Sequence, residues 1–266
     1  MTETALPAAP APRLPLAKRI RKSIARTGRR PIEALERWFG RASLIGDREV
    51  FDSALFPWVA RLEAEWRTIR RELDGVLAER ERLPNLQDIS PTQMSITRDD
   101  GWKTFIFHAY GYVSDENCRR CPETARLLST IPNLEVAFFS ILSPGKHIPA
   151  HKGMYKGLIR THLGLIVPEP NEKVRMQVGQ SMIHWREGEC VVFDDTYRHE
   201  VWNETDGWRV VLLIDVQRPF PPVIAFLNRA LLRLIRLTPF LTDSKKKHRA
   251  WEKGFYGQGP KRARAA

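Results

Sequence analysis

VAFFSILSPG (136–145), THLGLIVPEP (161–170), VRMQVGQ (174–180), SMIHWREG (181–188), CVVFDD (190–195), HEVWN (199–203) and VVLLIDV (210–216) succeed one another through the second half of the chain. Each is a short run of apolar, β-branched or aromatic residues. Most halt at residues that turn: Ser143-Pro144-Gly145, Pro168-Glu169-Pro170, Gly179, Glu187-Gly188, Asp194-Asp195 and Asn203, and the last stops short of Pro219. Many short strands at this spacing predict an antiparallel sandwich or barrel, not alternating βαβ units. The expected fold is mostly β with flanking helices, a jelly roll of two facing sheets.

Outward from that core the texture changes. Trp58 to Arg82 has helical periodicity, with Val59, Leu62, Trp66, Ile69 and Leu73 recurring at three or four. Leu83 to Asp100 reads as loop. Trp102 to Tyr112, rich in aromatic and β-branched residues, reads as a strand, and Pro122 to Ile131 as a short helix opened by proline. Ala5 to Pro15 holds four prolines and reads as a loose lead-in.

Apolar residues make up 42% of the 266, enough to exclude a disordered chain. No uninterrupted apolar run approaches the roughly 20 residues of a spanning helix, and no secretory signal opens the sequence, so secretion is not expected. Three cysteines do not make a disulfide framework, which suits a reducing compartment. Cys118-Arg119-Arg120-Cys121 stands alone. A zinc site needs a second pair and a thioredoxin-like site needs a βαβ setting, and neither is present.

The net charge of +12 belongs to the ends. Residues 1–30 carry eight Lys/Arg against Glu3, and residues 218–266 carry twelve against Asp243 and Glu252, so the middle is net acidic. Both ends are also amphipathic. Leu16, Ile20 and Ile24 share a face among Lys18, Arg19, Arg21 and Lys22. From Pro222 a greasy helix carries Arg229, Arg233 and Arg236 at i, i+4 and i+7, and Lys245, Lys246, Lys247 and Arg249 follow. Such ends suit an anionic bilayer surface, nucleic acid, or packing on the core. The expected division is a basic arm over 1–45, a jelly-roll domain over 46–218 and a basic amphipathic tail over 219–266.

Candidate chemistry sits at or near strand ends. His151 and His199 are 48 residues apart and meet only if the sheet folds back, as a jelly roll does. Neutral imidazole is a good ligand for a divalent transition metal. Iron(II) sites in such barrels commonly add a carboxylate two residues past the first histidine, but that position is Gly153. On spacing alone, two scattered histidines are more often ordinary histidines than metal ligands. Arg209 opens the last strand, where an inward guanidinium would hold a carboxylate and an outward one would be surface. Arg160 and His162, two apart, face one side of a strand, and Ser140 lies within another. Pointing inward together, these groups would form a polar pocket that needs a partner such as a dicarboxylate.

His151-Lys152-Gly153, Arg160-Thr161-His162-Leu163-Gly164-Leu165, then Phe193 to Asn203 and Arg209, in that order, resemble the aspartyl/asparaginyl β-hydroxylase family over roughly Trp102 to Pro219. The resemblance implies a double-stranded β-helix dioxygenase that uses Fe(II), 2-oxoglutarate and O2. It implies that His151 and His199 ligate the metal with no carboxylate at Gly153. By the same match Arg209 pairs with the distal carboxylate of 2-oxoglutarate, and Ser140, Arg160 and His162 contact the cosubstrate. Asp195 stands near the metal as a catalytic candidate, and Trp102 matches a residue near the substrate more weakly. Phe138, Leu142 and Trp202 are candidate lining residues.

For the substrate, Gly101-Trp102-Lys103-Thr104-Phe105 and Cys121-Pro122-Glu123-Thr124 look like the lipid-modifying branch, which acts on lipid A or ornithine lipid. With the basic amphipathic ends, this implies C2 hydroxylation of an acyl chain by an enzyme peripheral to the cytoplasmic face of a bacterial membrane, with no nucleic-acid partner. The alternatives are an aspartyl/asparaginyl β-hydroxylase acting on a protein, peptide or amino acid, and a non-catalytic jelly-roll binding module.

Overall fold

In the computed structural model, residues 34–257 apart from Met154 are described. Residues 1–33 of the basic arm, with Leu16, Ile20 and Ile24, lie outside them. The apolar runs form strands β4 (Leu134–Leu142), β5 (His147–His151), β6 (Leu158–Ile166), β7 (Val174–Val178), β8 (Ser181–His184), β9 (Cys190–Phe193), β10 (His199–Asn203) and β11 (Arg209–Gln217). They are preceded by β1 (Val50–Phe51), β2 (Trp102–Ala109) and β3 (Tyr112–Val113). All pair antiparallel, into a seven-stranded sheet ordered β1-β9-β6-β11-β4-β2-β3 and a four-stranded sheet ordered β5-β10-β7-β8. From β4 onward the chain alternates between the sheets, with β7 and β8 as the one consecutive pair in the smaller. That winding is the double-stranded β-helix.

The large sheet is covered on both faces, so β4 and β11 are apolar along nearly their whole length instead of alternating. Its outer face, with Phe105, Phe107, Phe139, Leu163, Leu212 and Ile214, packs on helices α1 (Pro57–Ala64), α2 (Trp66–Leu77), α4 (Asp115–Arg120) and α5 (Pro122–Ser129). Its inner face brings Trp102, Leu142, Phe193 and Val211 against Ile148, Met176, Val178 and Val201 of the small sheet. In β10 the period of two is clear: His199, Val201 and Asn203 are buried, while Glu200 and Trp202 are half-buried. Trp202 therefore points away from the barrel interior, stacked on His147 at 5.6 Å and under Arg175 at 4.9 Å. It does not line the pocket as expected.

Three further departures have local causes. The helix expected over 58–82 breaks at Glu65, and both halves keep an apolar edge on the sheet through Val59, Leu62, Ile69, Leu73 and Val76. The expected loop at 83–100 contains the four-residue helix α3 (Leu86–Ile89), held by an Asn85–Asp88 capping box and too short for periodicity to show. The expected tail is two helices, α6 (Pro222–Arg236) and α7 (Pro239–Gly257), both packed on the barrel. Arg236 donates to Glu135 at 2.9 Å, Asn228 Nδ2 to the Gly157 carbonyl at 3.2 Å, and Phe255 is buried in the main core. Cys118 and Cys121 are free thiols on and just beyond α4, and burial pushes the Cys121 thiol up to about 12.

The turn from β9 to β10 is fixed by buried charge. Asp194, fully buried, accepts from Lys156 Nζ at 3.0 Å and from Arg218 Nη2, and its other oxygen accepts from the Thr196 backbone N–H at 3.0 Å. Removing one member of such a group leaves uncompensated charge in the interior. Asp194→Asn is therefore expected to lower stability by about 3–5 kcal/mol, read as a lower urea midpoint with an unchanged slope.

Candidate active site

The small sheet sets the first feature. β10 lies beside β5 with His199 directly opposite His151, and the two imidazole centroids are 4.1 Å apart. His151 Nδ1–H donates to the Pro149 carbonyl at 2.9 Å, and His199 Nδ1–H donates to the Tyr197 carbonyl at 3.0 Å. A carbonyl only accepts, so both hydrogens sit on Nδ1 and both Nε2 lone pairs are free. Burial, reinforced by the neighbouring His151, drives the His199 pKa down to about 3, and burial lowers that of His151. Both rings are neutral at neutral pH, the form that binds metal. Among the described residues no group of three or more His, Cys, Asp and Glu side chains is placed to hold an ion.

Gly153 shows what lies beside that pair. Its N–H donates to the Asp195 carbonyl at 2.7 Å, and a Cβ there would stand 2.3 Å from the Asp195 carboxyl atoms. The space a side chain at 153 would need is filled by Asp195. Burial, with like charge from Asp215 and Asp194, pushes the Asp195 carboxyl up to about 6 against the pull of Arg160.

The large sheet supplies the facing groups. In β11, Arg209, Val211, Leu213 and Asp215 alternate with residues buried in the outer core, and register sets Leu213 opposite His162 and Asp215 opposite Arg160. Arg160 makes a bidentate pair with Asp215 at 2.7 and 2.8 Å, and its Nη1 lies 3.1 Å from Asp195. This guanidinium is spoken for by two carboxylates. Ser140 Oγ accepts from the Trp102 indole N–H at 3.0 Å, which leaves the hydroxyl hydrogen free to donate.

Two titratable groups are left without hydrogen-bond partners here, and so is the Trp185 indole N–H. Arg209 is 1% exposed, its guanidinium lies 4.6 Å over the Trp185 ring, and its Nε and Nη1 have no hydrogen-bond partner. Burial lowers its pKa to about 9. His162 is buried with neither ring nitrogen bonded, packed edge-on to Phe193 at 5.0 Å. Buried polar groups are nearly always paired, so an unpaired guanidinium beside an unpaired imidazole marks a place where an anion belongs.

The structure thus brings His151 and His199 together, groups Asp195 with Arg160, and places Ser140 with Trp102 and Arg209 with Trp185. Asp215 and Trp185 are not singled out by the sequence. Asp215 had a signal, being the one acid in VVLLIDV and in phase with Arg209. Trp185, just past a strand end, had none.

The family model described as aspartyl/asparaginyl beta-hydroxylase matches residues 63–219. An ornithine lipid ester-linked acyl 2-hydroxylase from Rhizobium tropici is 45% identical over 214 residues, covering 80% of this chain and 76% of that protein. The human aspartyl/asparaginyl beta-hydroxylase is 29% identical over 166 residues, covering 60% of this chain but only 21% of that protein. Human aspartate beta-hydroxylase domain-containing protein 2 is 38% identical over 136 residues, covering 48% of this chain and 36% of that protein. The family match spans the double-stranded β-helix and its supporting helices, and on it the chain belongs to the aspartyl/asparaginyl β-hydroxylase family of hydroxylases.

Proposed function

We propose that the protein is an Fe(II)- and 2-oxoglutarate-dependent hydroxylase of an acyl chain of a membrane lipid. The observation that carries the reaction class is the pairing of two neutral imidazoles with free Nε2 atoms and, across the barrel, a buried guanidinium with no anion of its own. The donor set fits the expected groups. His151 and His199 would hold the ferrous ion, and Arg209, His162 and the Ser140 hydroxyl would hold the dicarboxylate. When bound, iron with 2-oxoglutarate and O2 supplies the oxidising power for an unactivated C–H.

The chain's own residues do the rest. The two backbone carbonyls fix the imidazole tautomers and aim them. Arg209, its buried guanidinium over the Trp185 ring, would give the dicarboxylate a charge-assisted contact that water does not weaken. Arg160 is a positioning residue that joins Asp215 on β11 to Asp195 on the loop before His199. Leu142, Val211 and Phe193, buried between the sheets, exclude water.

For the substrate, similarity to the ester-linked acyl 2-hydroxylase is supported by the outward face of α6. Val223, Phe226, Leu227, Leu234 and Leu237 are exposed there, and Arg229 and Arg233 flank them. Arg236, read from the sequence with those two, is taken by Glu135. Exposed Lys245, Lys246 and Lys247 on α7 complete an amphipathic surface suited to an anionic bilayer, from which the enzyme would act peripherally. No helix of the described residues is long and apolar enough to cross a membrane.

With Fe(II), the protein is expected to release succinate from 2-oxoglutarate and to add one oxygen to lipid acyl chains, followed by mass spectrometry. His151→Ala and His199→Ala should each reduce both to background, and unchanged turnover in both would remove the metal assignment. Arg209→Ala should raise the half-saturating 2-oxoglutarate concentration by the loss of about 2–5 kcal/mol, roughly a thirtyfold to several-thousandfold effect. Phe226→Glu with Leu234→Glu should abolish co-sedimentation with phosphatidylglycerol vesicles while the melting temperature holds. Gly153→Ala should cost about 1–3 kcal/mol by overpacking against Asp195, measured by urea unfolding.

A further inference from the structure

Outside the polar pocket, a cleft of about 280 Å³ opens between the β2–β3 turn and helices α6 and α7. Ile106, Ala109 and Leu241 make an apolar wall, and Arg236, Lys245 and His248 line it as well. Two polar atoms here have no hydrogen-bond partner, His248 Nε2 and Arg236 Nε. His248 is 1% exposed, so its unpaired nitrogen is not served by bulk water.

The hydrogen-bond chain behind His248 settles what that nitrogen can do. The Tyr112 hydroxyl donates to Glu252 at 2.8 Å, so its oxygen can only accept from His248 Nδ1 at 3.1 Å. Nδ1 carries the hydrogen, and Nε2 presents a lone pair. The cleft therefore asks for an N–H or O–H donor. Beside it stand two cations. Arg236 Nη2 is bound to Glu135 at 2.9 Å, which leaves Nε, and the Lys245 ammonium lies 5.5 Å from the Tyr112 ring centre. An anion next to a donor, attached to something apolar, satisfies all of them.

One wall of the cleft lies on the same face of the large sheet as the pocket. Ile106 is in register with Phe138, Phe138 with Leu213 and Leu213 with His162, an unbroken row from cleft wall to pocket. Ile106, Val136, Phe138 and Leu213 form a small cluster of their own with Ile89. Tyr110, which also walls the cleft, lies within electrostatic reach of Arg160, Asp195 and Asp215.

The geometry points to this cleft as the site for the polar end of an acyl amphiphile whose anion neighbours an amide N–H, as in an N-acylated amino acid. The anion sits on Arg236 and Lys245, the N–H donates to His248 Nε2, and the first methylenes lie on Ile106, Ala109 and Leu241. The assignment rests on the acyl-lipid reading of the function and specifies where and how that substrate is held.

Two probes used below their micellar concentrations test it on the full chain by calorimetry. N-lauroylglycine has the N–H, and N-lauroylsarcosine replaces it with N-methyl. The wild-type protein should bind the first at least tenfold more tightly, and equal affinities would overturn the assignment. His248→Leu should bring the two within twofold, and a preference that survives it counts against His248. Leu241→Trp, on the α7 wall, should weaken N-lauroylglycine at least tenfold with an unshifted melting temperature, and wild-type binding by that variant would overturn the cleft. Undiminished acyl hydroxylation by Leu241→Trp would likewise sink the cleft while the hydroxylase reading stood. Selective probe binding with no lipid oxygenated would leave the cleft and remove that reading.

Discussion

The pairing of β10 with β5 is the constraint on which the candidate site depends. It is a register, and a register in a sheet is all or nothing: a slip by one residue turns every side chain to the opposite face. In the observed register His199 and His151 are opposite one another and both Nδ1 atoms reach a backbone carbonyl two residues earlier in their own strand or turn. A slip would turn Trp202 inward and His199 out. The register is held by the apolar burial of Ile148 and Val201, and by Asn203, whose side-chain amide donates to the Ser143 and Gly207 carbonyls at 2.8 and 2.9 Å. The fold's stability and the convergence of the imidazoles are thus one set of contacts.

The second principle is which buried polar groups are satisfied within the chain. Asp194, Lys156 and Arg218 are mutually paired, and so are Arg160, Asp215 and Asp195. These two groups flank the β9–β10 turn and fix it. Arg209 and His162 differ, because the fold buries them and offers no hydrogen-bond partner to Arg209 Nε and Nη1 or to either His162 nitrogen. A guanidinium kept this way costs stability, since burial without a partner is unfavourable. On the proposed reading, the cost is recovered when an anion arrives. That contrast between paired and unpaired charge separates positioning residues from binding residues without reference to any relative.

The strands were legible in the sequence because most apolar runs ended at a proline, glycine, asparagine or acidic turn. The runs over 174–178 and 190–193 match β7 and β9 residue for residue. β1 was not legible, since two residues carry no period, and α3 was not, since four residues make barely a turn. The α7 helix was masked by its lysines. Its pattern is set by Phe255 and His248 reaching the core while Lys245 to Lys247 stay in water. In the site, the histidines and Arg209 were found through the order of their motifs. What Arg160 does was not, because its partner Asp215 is 55 residues away and becomes a neighbour only through antiparallel pairing of β6 with β11.

The C-terminal helices combine buried fastening with an exposed apolar face. α6 is fastened from below by Asn228 and Arg236, and that fastening turns its apolar stripe outward instead of into the core. α7 is fastened by Glu252, which accepts from Tyr112 and Ser114, and it closes one side of the cleft that leads by Ile106, Phe138 and Leu213 to His162. An acyl chain leaving a bilayer carries its apolar surface from one dry environment to another, and any aqueous gap on the way costs about 0.8 kcal/mol per methylene exposed. An exposed apolar helix packed against the helix that walls the cleft shortens that gap. On the lipid reading, the basic residues hold the protein at the surface, the stripe sets its depth, and the cleft receives a chain that has hardly met water.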